Sequence, residues 1–186
     1  MTVANNIDST KNTGSHILTL STLNHTIPAP LSLHKETIRA AWIDYNGHLN
    51  MAYYLLAFDH ATDALLDQLG LGADYAQTTD GTTFTLEAHI SYLAEVGEGD
   101  VVRFETQVFD FDDKRIHYAH TMHHERKDYL AATNELLTLH VSQSKRRAEP
   151  MPGYALERLQ MIKESHKDLP PPPGMSRQMG LTRNQR

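Results

Sequence analysis

The apolar residues that follow Asn50 recur at three- and four-residue steps: Met51, Tyr54 or Leu55, Phe58, Ala61, Leu65 and Leu69. This period predicts an amphipathic helix of roughly twenty residues, opened by Asn50 as N-cap and closed at Gly70-Leu71-Gly72. Asp59, Asp63 and Asp67 form an i, i+4 acidic stripe along it, read as a solvated face. Ahead of the helix, Leu33 to Ile43 alternates loosely and predicts a first strand. Behind it, residues 82–93 alternate cleanly, with Phe84, Leu86, Ala88, Ile90 and Tyr92 on one face and Thr83, Thr85, Glu87, His89 and Ser91 on the other. Gly97, Gly99 and Asp100 turn the chain into a strand over 101–111, Asp112-Asp113-Lys114 into one over 115–125, and Lys127-Asp128 into one over 129–142.

Four successive strands joined by short turns predict an antiparallel meander, and a long helix needs apolar cover. The expected fold class is therefore α+β: a roughly five-stranded antiparallel sheet wrapped around a central helix. A ferredoxin-like arrangement would want a second helix between the later strands, where the sequence has none. Residues 154–166 carry helical spacing at Leu156, Leu159 and Ile162, an appended helix. The chain divides into an N-terminal arm of low order (1–32), the main domain (33–147), the appended helix (148–169) and a proline-rich tail read as disordered (170–186). A single sheet around one helix leaves an edge strand uncovered, so a homodimer or higher homo-oligomer is expected.

Composition narrows the classes. With 186 residues and 40% apolar content the chain can bury a core without staples, and having no Cys it holds no disulfide and no thiolate nucleophile. A net charge of −6 argues against a nucleic-acid partner. No apolar run is long enough for a membrane span, and no basic segment opens the chain, so a cytoplasmic location is expected. The histidines at 117, 120, 123 and 124 fall on one predicted strand without a ligand spacing, so no metal site is expected.

The chemistry gathers just before the long helix, where Asp44, Asn46, His48 and Asn50 stand at every second residue. Asn46-Gly47 supplies a tight turn, and the helix start at Asn50 and Met51 presents unpaired N–H groups and the positive end of the dipole, a place for an oxyanion. The same residue types crowd ordinary turns, so spacing alone leaves a plain connection as an equal reading. Glu87 and His89 are the next candidates, sharing one face of the strand after the helix.

The pattern D-x-N-x-H-x-N in "WIDYNGHLNMAYY" resembles the loop and helix start of hotdog-fold thioesterases, and is especially similar to the signature of plant acyl-carrier-protein thioesterases, with Met51 standing where that signature has a second Asn. The resemblance implies a thioesterase acting on an acyl-CoA, with Asp44, Asn46 and His48 in catalysis, an acidic residue near Glu87, sites between paired subunits and no cofactor. Asp44 is then a general base or a nucleophile, and the sequence leaves both open. "WIDYNGHLNMAYYLLAFDHATDALLDQLG", "TLEAHISYLAEVGEGD" and "DDKRIHYAHTMHHE" look like the betainyl-CoA thioesterases of bacterial carnitine degradation, over about residues 33–147. A trimethylammonium acyl group favours aromatic faces, and Trp42, Tyr45, Tyr53, Tyr54 and Tyr92, with His89, are the substrate-binding candidates. The alternatives are a general short-chain acyl-CoA thioesterase, a hotdog dehydratase using a His and an acid, and a binding protein that holds an acyl-CoA without turnover.

Overall fold

The computed structural model describes residues 26–176. The arm and tail readings for 1–25 and 177–186 lie outside the described residues. The elements run β1 (Leu31–Thr37), a 3₁₀ turn (Ala40–Trp42), α1 (Met51–Leu69), α2 (Ala73–Thr78), β2 (Gly81–Tyr92), β3 (Val101–Phe111), β4 (Arg115–His124), β5 (Leu130–Ser142), β6 (Arg147–Ala148) and α3 (Gly153–His166). One antiparallel sheet has the order β1-β3-β4-β5-β2, with the two-residue β6 added beside β5.

The helix forms where its period places it. Asn50 is extended and its side chain accepts from the Ala52 N–H at 2.9 Å, while Gly70 ends the helix at φ 76°, a left-handed cap that donates to Asp67 and lets Leu71 N–H reach back to the Leu66 carbonyl. Its buried side, Tyr54, Ala57, Phe58, Ala61, Leu65, Leu66 and Leu69, lies on the inner face of the sheet. On β3 and β4 that inner face is Val102, Phe104, Thr106 and Val108 against His124, Met122, His120 and Tyr118, all buried. Phe58 meets Phe104 edge-on at 5.5 Å between centroids. Leu159, Ala155 and Ile162 of α3 pack into the core end that holds Leu65 and Leu69.

The topology corrects the expected meander. β3, β4 and β5 follow one another as hairpins, but β2 pairs with β5 instead of β3, so residues 93–100 cross from β2 at one edge of the sheet to β3, the strand next to the opposite edge β1. The crossing is held by the Leu93 and Ala94 N–H groups on the Ala131 carbonyl at one end, and by Gly99 N–H on Ile38 and Ile38 N–H on Asp100 at the other. In its middle Val96 accepts from the Leu49 N–H at 2.8 Å, which pins the crossover against the start of α1. The first strand ends at Thr37, short of the predicted Ile43, because the 3₁₀ turn at Ala40–Trp42 breaks the extended backbone. α2 and β6 were not expected from the pattern.

A bulge also changes the faces of β2. Register shifts between Thr85 and Glu87, so Phe84 pairs with Leu139 and Glu87 with Leu137, two apart on one face of β5. Glu87, His89 and Ser91 therefore share the outer face with Phe84, whereas Ala88, Ile90 and Tyr92 face the helix. The single alternation expected across 82–93 holds only after the bulge. Pro170 to Ser176, within the segment read as tail, run over the outer face: Thr133 Oγ1 donates to the Pro173 carbonyl at 3.2 Å and Ser176 N–H to Glu135 Oε2 at 2.7 Å.

Candidate active site

Asp44 to His48 is a tight hairpin between the 3₁₀ turn and α1. Asp44 N–H donates to the His48 carbonyl (2.9 Å) and Gly47 N–H to the Asp44 carbonyl (3.0 Å), with Ile43 bridged to Leu49 on either side. Gly47 takes φ 82°, which its lack of a Cβ permits at little cost. Asp44 Oδ1 accepts from the Asn46 N–H at 2.8 Å, an Asx turn that fixes the half-buried carboxylate. Immediately beyond, Asn50 N–H donates to the Trp42 carbonyl at 2.9 Å and its side chain caps Ala52. Of the two expected oxyanion positions, Asn50 thus has its backbone donor engaged. Met51 is the first helical residue, and its N–H has no acceptor within the helix.

His48 is held by Glu95 of the crossover, Nε2 to Oε2 3.1 Å, and among the described ion pairs it has none with Asp44. The crossover thereby closes one side of the hairpin. Tyr54 donates to the Ala94 carbonyl (3.1 Å), Tyr92 to the Met51 carbonyl (3.3 Å) and Tyr129 to the Glu95 carbonyl (2.7 Å), so three phenols clamp this corner. Burial, with Tyr129 and Glu95 nearby, pushes the Tyr54 phenol up to about 12, and burial raises Tyr92 and Tyr129 too, which keeps all three as donors.

The aromatic candidates differ in access. Trp42 is 5% exposed, stacked on Tyr53 at 5.6 Å and 15°, with the Arg39 guanidinium 4.8 Å from its ring centroid. Tyr54 is buried, meeting Tyr92 edge-on at 5.2 Å. Tyr45 stands at the hairpin tip, 97% exposed, and Tyr92 is 46% exposed. Around them Met51, Leu55 and Leu93 also present apolar surface.

Glu87 and His89 are not brought to Asp44 within one subunit. Glu87 lies five residues before Tyr92, roughly 16 Å along the strand at about 3.3 Å per residue, and on the opposite face of the sheet. Both line an outer-face cleft of about 630 Å³ with Arg115, His117, Glu135 and Ser176. There His117 Nε2 lies 2.8 Å from Glu135 Oε1, and Glu135 is lowered overall because the Ser176 N–H and His117 outweigh burial, which acts the other way.

Sequence reasoning passed over Arg39, Glu95 and a second polar cluster, His34, Glu36 and His60. In that cluster His60 Nδ1 lies 2.5 Å and His34 Nε2 3.3 Å from the same oxygen, Oε2 of Glu36. Burial acts to raise the Glu36 carboxyl, but the hydrogen bonds of His60 and His34 prevail and lower it. The one signal in the sequence is H-x-E on a strand, which puts both side chains on one face.

The family model of the thioesterase-like superfamily matches residues 38–160. The chain belongs to that superfamily. This thioesterase is 38% identical over 151 residues to the betainyl-CoA thioesterase of Pseudomonas aeruginosa, covering 81% of this chain and 95% of that protein. It is 35% identical over 155 residues to the L-carnitine dehydrogenase/betainyl-CoA thioesterase of Rhizobium meliloti, where the match spans 83% of this chain but 31% of the longer relative. Among solved structures, a Staphylococcus aureus protein in complex with CoA superposes with a TM-score of 0.77 at 26% identity, over 83% of this chain and 98% of that one. The helix wrapped by an antiparallel sheet is the hotdog fold, as expected, and the enzyme is an acyl-CoA thioester hydrolase. Among the described residues no helix is long and apolar enough to cross a membrane.

Proposed function

We propose that this thioesterase hydrolyses betainyl-CoA to betaine and CoA, with Asp44 as the reacting carboxylate and the start of α1 as the oxyanion site. The observation that carries the reading is the match to the Pseudomonas aeruginosa betainyl-CoA thioesterase along 95% of that protein's length, combined with a carboxylate held by an Asx turn six residues before the cap of a nineteen-residue helix. With the thioester carbonyl over the helix N-terminus, the Met51 N–H and the helix dipole stabilise the developing O⁻. One such donor is typically worth roughly 2.7–4 kcal/mol. Asp44 either takes the proton of an attacking water or attacks directly to form an anhydride that water then opens. The CoA thiolate leaves without needing a strong acid. His48 and Glu95 hold the hairpin closed, and Asn46 fixes the Asp44 rotamer through its N–H.

The trimethylammonium end favours aromatic faces, at about 0.5–2 kcal/mol each. Tyr45, Tyr53 and Tyr92 are the rings this reading assigns to it, because Arg39 already sits over the Trp42 ring. The working unit in this reading is a homodimer. β2 is one edge of the sheet, and Phe84, Leu86, Tyr92 and Leu93 at 46–58% exposure supply apolar surface for a second copy. Pairing of that edge is also the arrangement that would carry Glu87 toward a site on the partner.

The test is thiol release from betainyl-CoA by wild type and Asp44→Asn. Loss of a base or nucleophile lowers kcat by at least about 10²-fold; near-wild-type turnover in the variant rules Asp44 out.

A further inference from the structure

We infer that His34, Glu36 and His60 form a binding site for a divalent transition-metal ion, zinc in the first instance, separate from the Asp44 hairpin. His34 and Glu36 sit two residues apart on β1, opposite Phe104 and Val102, and so project from the inner face beneath α1. His60 comes down from the third turn of that helix. One ligand atom from each of the three side chains lies within 4.8 Å of the other two.

The way these groups converge points to an ion. Both imidazoles address the same carboxylate oxygen, while Arg39 Nη2 holds the other, Oε1, at 3.3 Å. Arg39 thereby fixes the carboxylate so that one oxygen is turned to the histidines, the role an outer partner plays at a metal-bound carboxylate. In tetrahedral coordination with bonds near 2.0–2.1 Å, neighbouring donors stand about 3.3 Å apart. The His34 to Glu36 separation is 3.3 Å. The 2.5 Å contact of His60 with Glu36 is a hydrogen bond, and an ion taking the place of its proton requires the ring to retreat by about 0.8 Å on the same geometry. Side-chain exposures of 25%, 8% and 33% for His34, Glu36 and His60 leave an entry path without stripping the donors of shelter.

Two imidazole nitrogens and one carboxylate oxygen suit a borderline ion such as zinc, not magnesium or calcium, which take oxygen sets. Three protein ligands leave a fourth position for water. Asp63, one turn beyond His60, is near enough that His60 and His34 both act on its carboxyl. The site is distinct from the reaction centre: the Trp42 ring lies beside His60 at 6.4 Å between centroids, and Asp44 is on the hairpin beyond Trp42. An ion there ties the edge strand β1 to the helix whose N-terminus builds the active site.

The test uses the full chain freed of metal by dialysis against a chelator, then titrated with Zn²⁺ in competition with a chromophoric chelator, and separately with Co²⁺ followed by visible absorption. The expected result is one equivalent of Zn²⁺ and intense Co²⁺ bands of a four-coordinate site. His60→Ala and His34→Ala should each weaken uptake by at least about 100-fold, beyond the 10–100-fold typical of losing an outer partner. His123→Ala, on the outer face of β4, should leave uptake unchanged and so separates the site from general binding by histidines. Glu36→Gln keeps the shape of the network and tests the oxygen donor should a histidine variant fail to fold. Absence of stoichiometric uptake by wild type, or uptake equal in wild type, His34→Ala and Glu36→Gln, overturns the assignment.

Discussion

His120 sits where the fold tolerates a charge poorly. It is fully buried on the inner face of β4, with Nδ1 2.9 Å from Thr106 Oγ1, Nε2 3.1 Å from Thr62 Oγ1 and the Phe58 ring stacked 6.2 Å away. Both ring nitrogens thus meet neutral hydroxyls, and among the described residues no carboxylate pairs with the ring to balance a proton. Burial, with a small contribution from His34, pushes its pKa from 6.5 down to about 3. The neutral ring is what the folded state holds, so the stability it confers is fully present above pH 6.5 and is lost as pH falls toward 3. From pH 6.5 to pH 4 the loss accumulates at about 1.4 kcal/mol per pH unit, which comes to roughly 3 kcal/mol. His120→Gln keeps polar atoms for the two threonines but cannot charge. Urea unfolding midpoints of the two proteins, taken from pH 7.5 to pH 4 at one protein concentration, isolate this group, because the lowered carboxyls of Glu36, Asp100 and Asp112 titrate in both. The wild type should lose about 3 kcal/mol more than the variant across that range. Parallel curves would refute the neutral buried imidazole.

Two further perturbations separate stability from chemistry near the site. Asn50→Ala removes the cap on Ala52 and should lower stability by about 1 kcal/mol, read as a fall in Tm, with Asn50→Asp restoring most of it. Trp42→Leu opens a gap between Tyr53 and Arg39 and should cost roughly 2–3 kcal/mol, somewhat under the 3–5 kcal/mol of truncating such a ring to Ala. Its preference for a charged over a neutral acyl group should survive, and loss of that preference would show that substrate does reach Trp42.

The long helix was legible because its apolar residues keep a 3.6-residue period and both ends carry cap chemistry at Asn50 and Gly70. Strands 101–111, 115–125 and 129–142 were legible from turns that admit only hairpins. The crossover was not: residues 93–100 carry glycines and charges like any turn, and what sends them across the sheet is pairing of β2 with β5, a long-range contact. The outer-face position of Glu87 was legible from the alternation it shares with His89 and Ser91, whereas that of Phe84 was hidden by the bulge at Leu86, one residue that inverts every face before it. The hairpin residues Asp44, Asn46 and His48 stood out because their types suit both a turn and a reaction. His48 meets Glu95, forty-seven positions on, only through the crossover. The cluster of His34, Glu36 and His60 joins an edge strand to a helix third turn, so H-x-E announces two of its members and no local spacing announces His60.

The claim at the centre of the account is that the enzyme selects a cationic acyl group. Betainyl-CoA and 3,3-dimethylbutyryl-CoA have nearly the same volume and differ in one charge. A purely apolar pocket favours the neutral compound, since it need not desolvate an ion, whereas aromatic faces reverse the order. The deciding measurement is kcat/KM for the two thioesters under identical conditions. A preference of about tenfold or more for betainyl-CoA is expected, the equivalent of 1.4 kcal/mol and within the range of aromatic contacts to a cation. Equal values, or a preference for the neutral thioester, would contradict the betainyl assignment and leave an acyl-CoA thioesterase of other specificity.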